Sequence, residues 1–248
     1  MLSNDPGEIK IILVTGVCGF LGSHIAKMLL KNKYHVIGVK RKKSDIRRIK
    51  KHVDQIKMID SDGEDFSSKI SNLHVDCIVH VATNYGKNNE LVSEIIFDNL
   101  IFPLKVLELI DKRYLKLFIN TDTFSNNSKK DNNHLKEYSE TKKNLNDWLE
   151  LLLKNYRFKL VTMKLQHVYG VDDREDKFNT WLINEVVAQK ENIKLTKGLQ
   201  QRDFISVDDV SSAFIAVINN FKDLNKLVTE FDVGSGKIIT IKGFVLLV

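Results

Sequence analysis

Short apolar runs alternate with amphipathic stretches along most of the chain. Ile9 to Val14 is a continuous run of β-branched and leucine residues, short enough for a strand buried on both faces. From Leu21, apolar residues recur at helical spacing as far as about Lys33. The same alternation predicts further strands at 35–39, 77–81, 115–120, 159–165 and 229–233, and helices at 91–109, 138–154, 178–189 and 208–219.

This alternation determines the expected fold class. Strands that alternate with helices are joined by right-handed crossovers and form a mostly parallel sheet. We therefore predict an α/β fold with a doubly wound sheet, and we expect ligands at the carboxyl ends of its strands.

Composition narrows the class of protein. The 248 residues are 43% hydrophobic and 28% charged, which is enough for one well-buried core. No apolar run approaches the ~18 residues of a membrane span, and Met1 to Pro6 lack the pattern of a signal peptide, so we expect a cytoplasmic protein without a membrane partner. Cys18 and Cys77 lie in apolar stretches and are expected to be reduced and structural, and no metal site is expected.

The net charge of +6 raises the question of a nucleic-acid partner. Basic residues crowd the segment from Lys40 to Lys51, but no zinc-finger spacing or interleaved RNA-binding aromatics accompany them. We therefore expect no nucleic acid. A solvated basic surface and a phosphate-binding site remain open for this segment.

A glycine turn, Thr15-Gly16-Val17-Cys18-Gly19-Phe20-Leu21-Gly22, connects the first predicted strand to the first helix. Gly16 permits a tight turn, Gly19 lets a pyrophosphate approach the backbone, and Gly22 permits close packing of helix on strand. The helix N-terminus adds free N–H groups and a positive dipole end. The doubly wound sheet is therefore predicted to be a Rossmann-type sheet that binds a dinucleotide through this turn, Phe20 and Leu21 included.

The exit of the second strand bears on coenzyme choice. NAD-selective sites carry a carboxylate there, whereas an arginine accommodates the 2′-phosphate of NADP. Here Val39 is followed by Lys40, Arg41, Lys42 and Lys43. We predict NADPH as the preferred coenzyme, with NAD possible, and Arg41 as the phosphate clamp with Lys42 beside it. Asp60 is placed to reach the adenine, or is a plain surface carboxylate.

Tyr138 and Lys142 stand four positions apart and share one face of a predicted helix. A neighbouring ammonium favours phenolate, so the pair is predicted to lower the pKa of Tyr138 and make it an acid/base, although the same spacing is common on ordinary helix surfaces. Thr121 follows the strand 117–120, where its hydroxyl can meet a substrate carbonyl and Tyr138. Thr123 is a second candidate, and a threonine bonded to its own backbone is the structural alternative for both.

With these motifs the sequence resembles the extended short-chain dehydrogenases/reductases of the NAD-dependent epimerase/dehydratase group. His80-Val81-Ala82-Thr83 is similar to the group's segment beside the coenzyme, and Asn99 to a residue of its central helix. Segment 164–170 resembles the strand end under the substrate pocket, and segment 201–210 the one whose arginine meets the nucleotide diphosphate. The resemblance implies coenzyme contacts at Val81, Ala82, Thr83, Asn99, Leu165 and Val168.

Within that group, segments 84–90, 177–178 and 195–204 look most like the CDP-abequose and CDP-paratose synthases. That resemblance implies reduction of a CDP-4-keto-3,6-dideoxyhexose in O-antigen synthesis, with Tyr138 as proton donor, Thr121 polarising the carbonyl and Lys142 holding the nicotinamide ribose. Arg202 would pair with the diphosphate. The implied substrate contacts are Asn84, Tyr85, His167, Lys177, Phe178 and Arg202.

Two departures limit the resemblance. The group's 4,6-dehydratases carry Asp-Glu after the catalytic threonine, whereas Asp122-Thr123 follows Thr121 here, so a reductase or an NAD-dependent 4-epimerase remains. The group's members usually continue well beyond the position of Val248, so we expect residues 1–165 to form the dinucleotide-binding domain and residues 166–248, with a strand that returns to the main sheet, a small, incomplete substrate lobe. A homodimer is implied by resemblance, and a non-catalytic NADP-binding protein is the lesser alternative.

Overall fold

The computed structural model of the chain describes residues 8–71, 73–87, 89–124 and 136–248. Met1 to Pro6, which bore on the signal peptide, and Asn88 of segment 84–90 lie outside these ranges. The strands are β1 Ile11–Thr15, β2 His35–Lys40, β3 Ile56–Asp60, β4 Cys77–His80, β5 Leu117–Thr123, β6 Lys159–Leu165, β7 His167–Tyr169, β8 Gln201–Ser206, β9 Val228–Val233 and β10 Ile238–Thr240. The helices are α1 Phe20–Lys31, α2 Phe66–Ser71, α3 Val92–Ile96, α4 Phe102–Leu109, α5 Lys136–Leu152, α6 Phe178–Val187, α7 Val207–Asn219 and α8 Ile241–Val245.

Seven strands form a parallel sheet in the order β3-β2-β1-β4-β5-β6-β9. The order reverses next to β1, between β1 and β4, where doubly wound sheets bind their ligands. The predicted α/β class and the Rossmann-type sheet are confirmed. A late strand, β9, lies in this sheet beside β6.

Helices cover both faces of the sheet. One core cluster packs Ile25 and Leu29 of α1 and Phe214 of α7 against one face. The other packs Leu145 and Leu149 of α5, with residues of α2 and α4, against the opposite face. Buried strands with apolar side chains on both faces explain why their sequences are continuous rather than alternating.

A three-stranded sheet in the order β10-β8-β7 stands beside the carboxyl ends of β6 and β9. Asp203 of β8 connects the two sheets, because its carboxylate accepts hydrogen bonds from the Ser235 and Gly236 N–H groups at 2.9 and 3.0 Å. The small sheet therefore lies over the edge where chemistry is expected.

Three differences between the observed and the sequence-based elements bear on the site. The predicted helix 91–109 contains a π-helical turn, Phe97–Ile101, between α3 and α4. Strand β5 continues through Thr121 to Thr123 rather than ending before them. The short strands β7, β8 and β10 carry too few residues for a period to be recognised. Among the described helices, none combines the length and apolarity that crossing a bilayer requires.

Candidate active site

The glycine turn joins β1 to α1 with the geometry that its sequence predicts. Gly16 has a φ of +68°, and a Cβ there would lie 2.8 Å from the Ala82 Cα. A Cβ on Gly22 would lie 2.2 Å from the Gly16 carbonyl oxygen. These two positions therefore accept only glycine without a backbone shift.

Gly19 serves a different purpose in the same turn. It is the N-cap of α1, where no side chain caps the helix and no acidic residue stands in the first turn. A Cβ on Gly19 would meet only the Gly16 carbonyl oxygen, at 3.1 Å. The N-terminus of α1 thus presents uncapped N–H groups and its positive dipole end, beginning with Phe20 and Leu21, which fits a dinucleotide pyrophosphate.

Thr15, which the sequence analysis missed, ties this turn to the end of β4. Its hydroxyl accepts hydrogen bonds from the Val81 and Ala82 N–H groups, both at 3.2 Å. The hydroxyl proton is therefore donated to His80 Nδ1, at 2.8 Å. Burial, followed by the charge of Lys142, holds the pKa of His80 well below its usual value, so the ring is neutral. The position of Thr15, directly before Gly16 of the glycine turn, was the sequence feature that could have identified it.

Tyr138 lies on α5 and is 7% exposed. The ring of Tyr85 packs over it with a centroid distance of 4.9 Å, and the phenol is within hydrogen-bonding reach of the Thr123 and Thr83 side chains. The structure thus brings together four residues that the sequence analysis had placed in four separate segments.

The pKa of Tyr138 is raised well above its ordinary value, so the lowering predicted from Lys142 alone is wrong for this structure. Burial is the largest cause, followed by Tyr85 and Asp122, and the hydrogen bonds from Thr123 and Thr83 act in the opposite direction. Burial disfavours the charged phenolate. At neutral pH the residue is therefore a protonated phenol.

Lys142 lies one helical turn after Tyr138 and is 1% exposed. Burial lowers its pKa to about 8, while the carboxylate of Asp122 raises it. Its Nζ is 3.5 Å from Thr121 Oγ1. At neutral pH Lys142 is a mostly protonated cation beneath the site.

The two threonines differ from the sequence-based expectation. Thr121 Oγ1 donates to the His80 carbonyl oxygen at 3.0 Å, so its proton is used within the protein. Thr123, rather than Thr121, supplies a hydrogen bond to Tyr138. Strand β5 continues past Thr121, and residues two positions apart in a strand point to the same face of the sheet. Thr123 therefore lies on the same face as Thr121.

Asn99, in the π turn, is buried and makes four hydrogen bonds to the protein. Its Oδ1 accepts from Asn84 N at 2.7 Å and from Thr83 Oγ1 at 3.3 Å. Its Nδ2 donates to Asn84 O at 2.8 Å and to Thr141 Oγ1 at 3.0 Å. Asn99, predicted to contact the coenzyme, therefore holds residues 83–84 against α5. π-helical turns are frequent at functional sites.

The basic residues at the end of β2, Lys40 to Lys42, form hydrogen bonds with carboxylates. Lys40 Nζ is 2.6 Å from Asp60 Oδ1, and the Lys42 backbone N–H donates to Asp62 at 2.7 Å. Arg41 Nη2 donates to Asp98 Oδ2 at 2.5 Å. Arg41 and Asp60 lie on neighbouring strand ends, as a site for the adenosine half of a dinucleotide requires.

The predicted substrate residues of the C-terminal part surround a row of rings. His167 stacks near Phe124 and Phe204, with centroids at 4.5 and 5.8 Å, and burial lowers its pKa to about 4 with help from Arg202 and Lys177. Phe178 begins α6, and Lys177 Nζ lies 5.2 Å from the Phe20 ring centroid in the glycine turn. Leu165 and Val168 pack against the first core cluster.

Arg202 lines an open cleft of about 360 Å³ beside these rings. The cleft's other lining residues are Phe124, Gln166, Gln201, Asp203, Gly236 and Ile238. An arginine in a cleft of this size can bind an anionic group bidentately. The structure thus places the predicted substrate residues His167, Lys177, Phe178 and Arg202 around β7, β8 and α6, whereas Asn84 and Tyr85 follow β4.

Comparisons with known proteins identify the family of the chain. The model of the NAD dependent epimerase/dehydratase family matches residues 12–234. A CDP-abequose synthase of Salmonella typhimurium strain LT2 is 32% identical over 243 residues, which cover 96% of this chain and 79% of that protein. A second CDP-abequose synthase, of Salmonella muenchen, is 30% identical over 234 residues, 94% of this chain and 78% of the relative.

Among solved structures, the UDP-N-acetylglucosamine 4-epimerase of Methanobrevibacter ruminantium M1 has a similar fold. Its TM-score is 0.79 at 20% identity, over 97% of this chain and 81% of that one. The family match, the glycine turn and the Tyr138/Lys142 pair together make the chain an enzyme of the NAD(P)-dependent oxidoreductase or epimerase type. The chain belongs to the NAD dependent epimerase/dehydratase family, within the extended short-chain dehydrogenases/reductases, and its coenzyme is a nicotinamide dinucleotide.

Proposed function

We propose that the enzyme reduces the 4-keto group of a nucleotide-linked deoxyhexose with NADPH. The substrate class is a CDP-4-keto-3,6-dideoxyhexose, as in O-antigen sugar synthesis. The similarity to two CDP-abequose synthases supports the substrate, and the basic exit of β2 at Arg41 supports the coenzyme. NADPH and nucleotide sugars are both available in the cytoplasm, which is the location we propose.

The observation that carries the proposal is the similarity to two CDP-abequose synthases over most of the chain. Reduction of a ketone requires an acid that delivers a proton to the carbonyl oxygen, and the buried phenol of Tyr138 is the candidate donor. A 4-epimerase uses the same residue as a base and then as an acid, so Tyr138 fits both reactions. The relatives and the basic residues after β2 favour reduction.

The residues of the chain would have the following roles in coenzyme binding. The turn from Gly16 to Gly22 binds the pyrophosphate, Asp60 and Arg41 face the adenosine half, and Lys142 holds the nicotinamide ribose. When bound, the coenzyme supplies a hydride to C4 of the sugar.

Tyr138 donates its proton to the C4 oxygen as that oxygen gains negative charge. The phenolate that results is stabilised by a hydrogen bond from Thr123. We propose that the cation of Lys142, one turn further along α5, also favours it. Thr123 takes the position that the sequence analysis gave to Thr121. Arg202 binds the diphosphate, and the rings of Phe124, His167 and Phe204 face a hexose with few hydroxyls.

An NAD-dependent 4-epimerase is the second candidate, since the fold is shared with such an enzyme. Its coenzyme returns the hydride that it takes, so no net oxidation accompanies turnover. We expect stoichiometric NADPH oxidation in a panel of CDP-, dTDP-, GDP- and UDP-linked 4-ketosugars, fastest with the CDP-linked sugar. Interconversion of two 4-epimers without NADPH oxidation would establish the epimerase instead, and tight NADPH binding without turnover on any sugar would indicate the non-catalytic alternative.

We also propose that the enzyme is a homodimer. A strip of exposed large apolar side chains runs along α3, the π turn and α5: Leu91, Val92, Ile96, Phe97, Ile101, Trp148 and Leu151. The helices α3 and α5 both pack against the π turn, so these exposed apolar side chains lie on neighbouring elements. Clusters of exposed apolar side chains are typical of protein interfaces.

A further inference from the structure

The carboxylate that contacts Arg41 comes from an element far away in sequence. Arg41 is largely exposed, with 63% of its side chain accessible, whereas the side chain of Asp98 is only 22% accessible. Their contact is a charge-assisted hydrogen bond from Arg41 Nη2 to Asp98 Oδ2 at 2.5 Å. The neighbouring Lys40 is already paired with Asp60, so Arg41 is the guanidinium at this strand end.

Asp98 is anchored independently of Arg41. The same oxygen, Oδ2, accepts a hydrogen bond from Asn84 Nδ2 at 2.9 Å. Asn84 is fixed in turn, because its backbone N–H donates to Asn99 Oδ1 at 2.7 Å and its Oδ1 accepts from Gly86 N at 3.0 Å. The carboxylate is therefore a fixed charge, and the arginine is the partner able to move away.

We propose that Asp98 is a specificity-determining residue that limits the enzyme's preference for NADPH over NADH by competing for Arg41. The inference rests on the proposed role of Arg41 as the clamp for the 2′-phosphate. In other Rossmann sites the selecting carboxylate stands at the end of the second strand, but here β2 ends in Lys40 and the carboxylate beside Arg41 is supplied by the π turn.

The physical basis is an exchange of partners. A 2′-phosphate that takes the Arg41 fork bidentately must displace at least part of its contact with Asp98, whereas the 2′-hydroxyl of NADH leaves the pair intact. The cost of separating the pair is then paid by NADPH alone. Exposed ion pairs are weak, so the effect on the coenzyme ratio is expected to be roughly two- to fivefold.

The test is a fluorescence titration of NADPH and NADH with the whole chain, comparing the ratio of the two dissociation constants. Asp98→Asn removes the charge that holds Arg41 and retains an oxygen that accepts from Asn84, so segment 84–86 keeps its contact. We expect the ratio to shift toward NADPH by roughly two- to fivefold. Asp45→Asn is the matched control, since Asp45 pairs with Arg47 in the same basic segment, and its ratio should remain that of the wild type.

A double variant shows whether the effect passes through Arg41. In an Arg41→Ala background, Asp98→Asn should no longer shift the ratio. An unchanged ratio in Asp98→Asn, an equal shift in Asp45→Asn, or a shift that persists without Arg41 would overturn the inference. The wild-type ratio tests the proposed NADPH preference separately, because the change on substitution is informative whichever coenzyme the wild type binds more tightly.

Discussion

Tyr138 and Lys142 are both buried, and burial moves their pKa values in opposite directions because it disfavours whichever form is charged. The phenol therefore keeps its proton, and the ammonium holds its proton less firmly than usual. The sequence identified the pair by its four-residue spacing. It did not reveal the depth of burial, which depends on Tyr85 and on the strands beneath α5.

The buried charge of Lys142 has a measurable cost in stability. Its pKa falls from 10.5 to about 8, which at about 1.4 kcal/mol per pKa unit corresponds to about 3 kcal/mol. Below pH 8 both the folded and the unfolded chain carry the proton. Between about pH 8 and pH 10.5 only the unfolded chain does, so this group's contribution to stability rises with pH through that window.

We therefore expect Lys142→Met to raise the free energy of unfolding at pH 7, by up to about 3 kcal/mol, while abolishing turnover. Its advantage over the wild type should shrink as the pH rises above 8. Urea unfolding at several pH values measures both effects. Lys143→Met, at an exposed neighbour, is the control. A Lys142→Met protein that is less stable than the wild type at pH 7 would show that the cation is stabilising.

The hydroxyls of Thr121 and Thr123 are predicted to have separable roles. Thr123→Val removes a hydrogen bond to the phenol that strengthens as charge develops, so kcat should fall about 10- to 100-fold with little change in stability. Thr121→Val leaves the buried His80 carbonyl without its donor and should lower the free energy of unfolding by about 1–3 kcal/mol. Steady-state kinetics and thermal unfolding of both variants test this; a larger loss of kcat in Thr121→Val would reverse the assignment.

At the scale of elements, the strand–turn–helix unit at the start of the chain was predictable because each glycine has a local reason. The π turn was not predictable, since nothing in the sequence of 97–101 distinguishes it from an α-helix. Yet that turn carries Asn99, which fixes Thr83 and Asn84. The partners of the predicted residues, Thr15, His80 and Asp98, depend on contacts between distant elements and were missed for the same reason.

The glycine turn yields a paired prediction. Gly22→Ala places a Cβ 2.2 Å from the Gly16 carbonyl oxygen and should destabilise the protein by about 1–3 kcal/mol, despite the better helix propensity of alanine. Gly19→Ala has a single contact at 3.1 Å and should fold, but it should bind NADPH more weakly because the methyl group stands at the pyrophosphate. Thermal unfolding and NADPH titration separate the two effects. Wild-type NADPH affinity in Gly19→Ala would place the pyrophosphate elsewhere.

At the scale of the whole molecule, the sequence predicted the parallel sheet and its carboxyl-end site because strand order in such folds follows from right-handed crossovers. The substrate side was less predictable. Its strands β7, β8 and β10 are short, and the aromatic row from Phe124 to Phe204 joins residues that are far apart in the chain. Only the resemblance to a family connected these segments before the structure did.

The proposed homodimer is tested at the apolar strip. A lysine at Phe97, which is 51% exposed, would be buried unpaired in an interface formed by α3, the π turn and α5. Phe97→Lys should therefore convert the dimer to a monomer in sedimentation velocity. Val187→Lys, at an exposed apolar residue on α6, should leave the dimer intact. A wild-type monomer, or a dimer unaffected by Phe97→Lys, would contradict this interface.

The central claim is that Tyr138 supplies the proton while NADPH supplies the hydride to C4 of a CDP-linked 4-ketosugar. Its most direct test follows deuterium from NADPH labelled at either face of nicotinamide C4 into the product by mass spectrometry, with wild type and Tyr138→Phe compared. We predict one deuterium at sugar C4 for each NADPH oxidised from one labelled face, and a rate about 10²- to 10⁴-fold lower in Tyr138→Phe at unchanged NADPH affinity. Product without deuterium from either label, or equal rates in the two proteins, would contradict it.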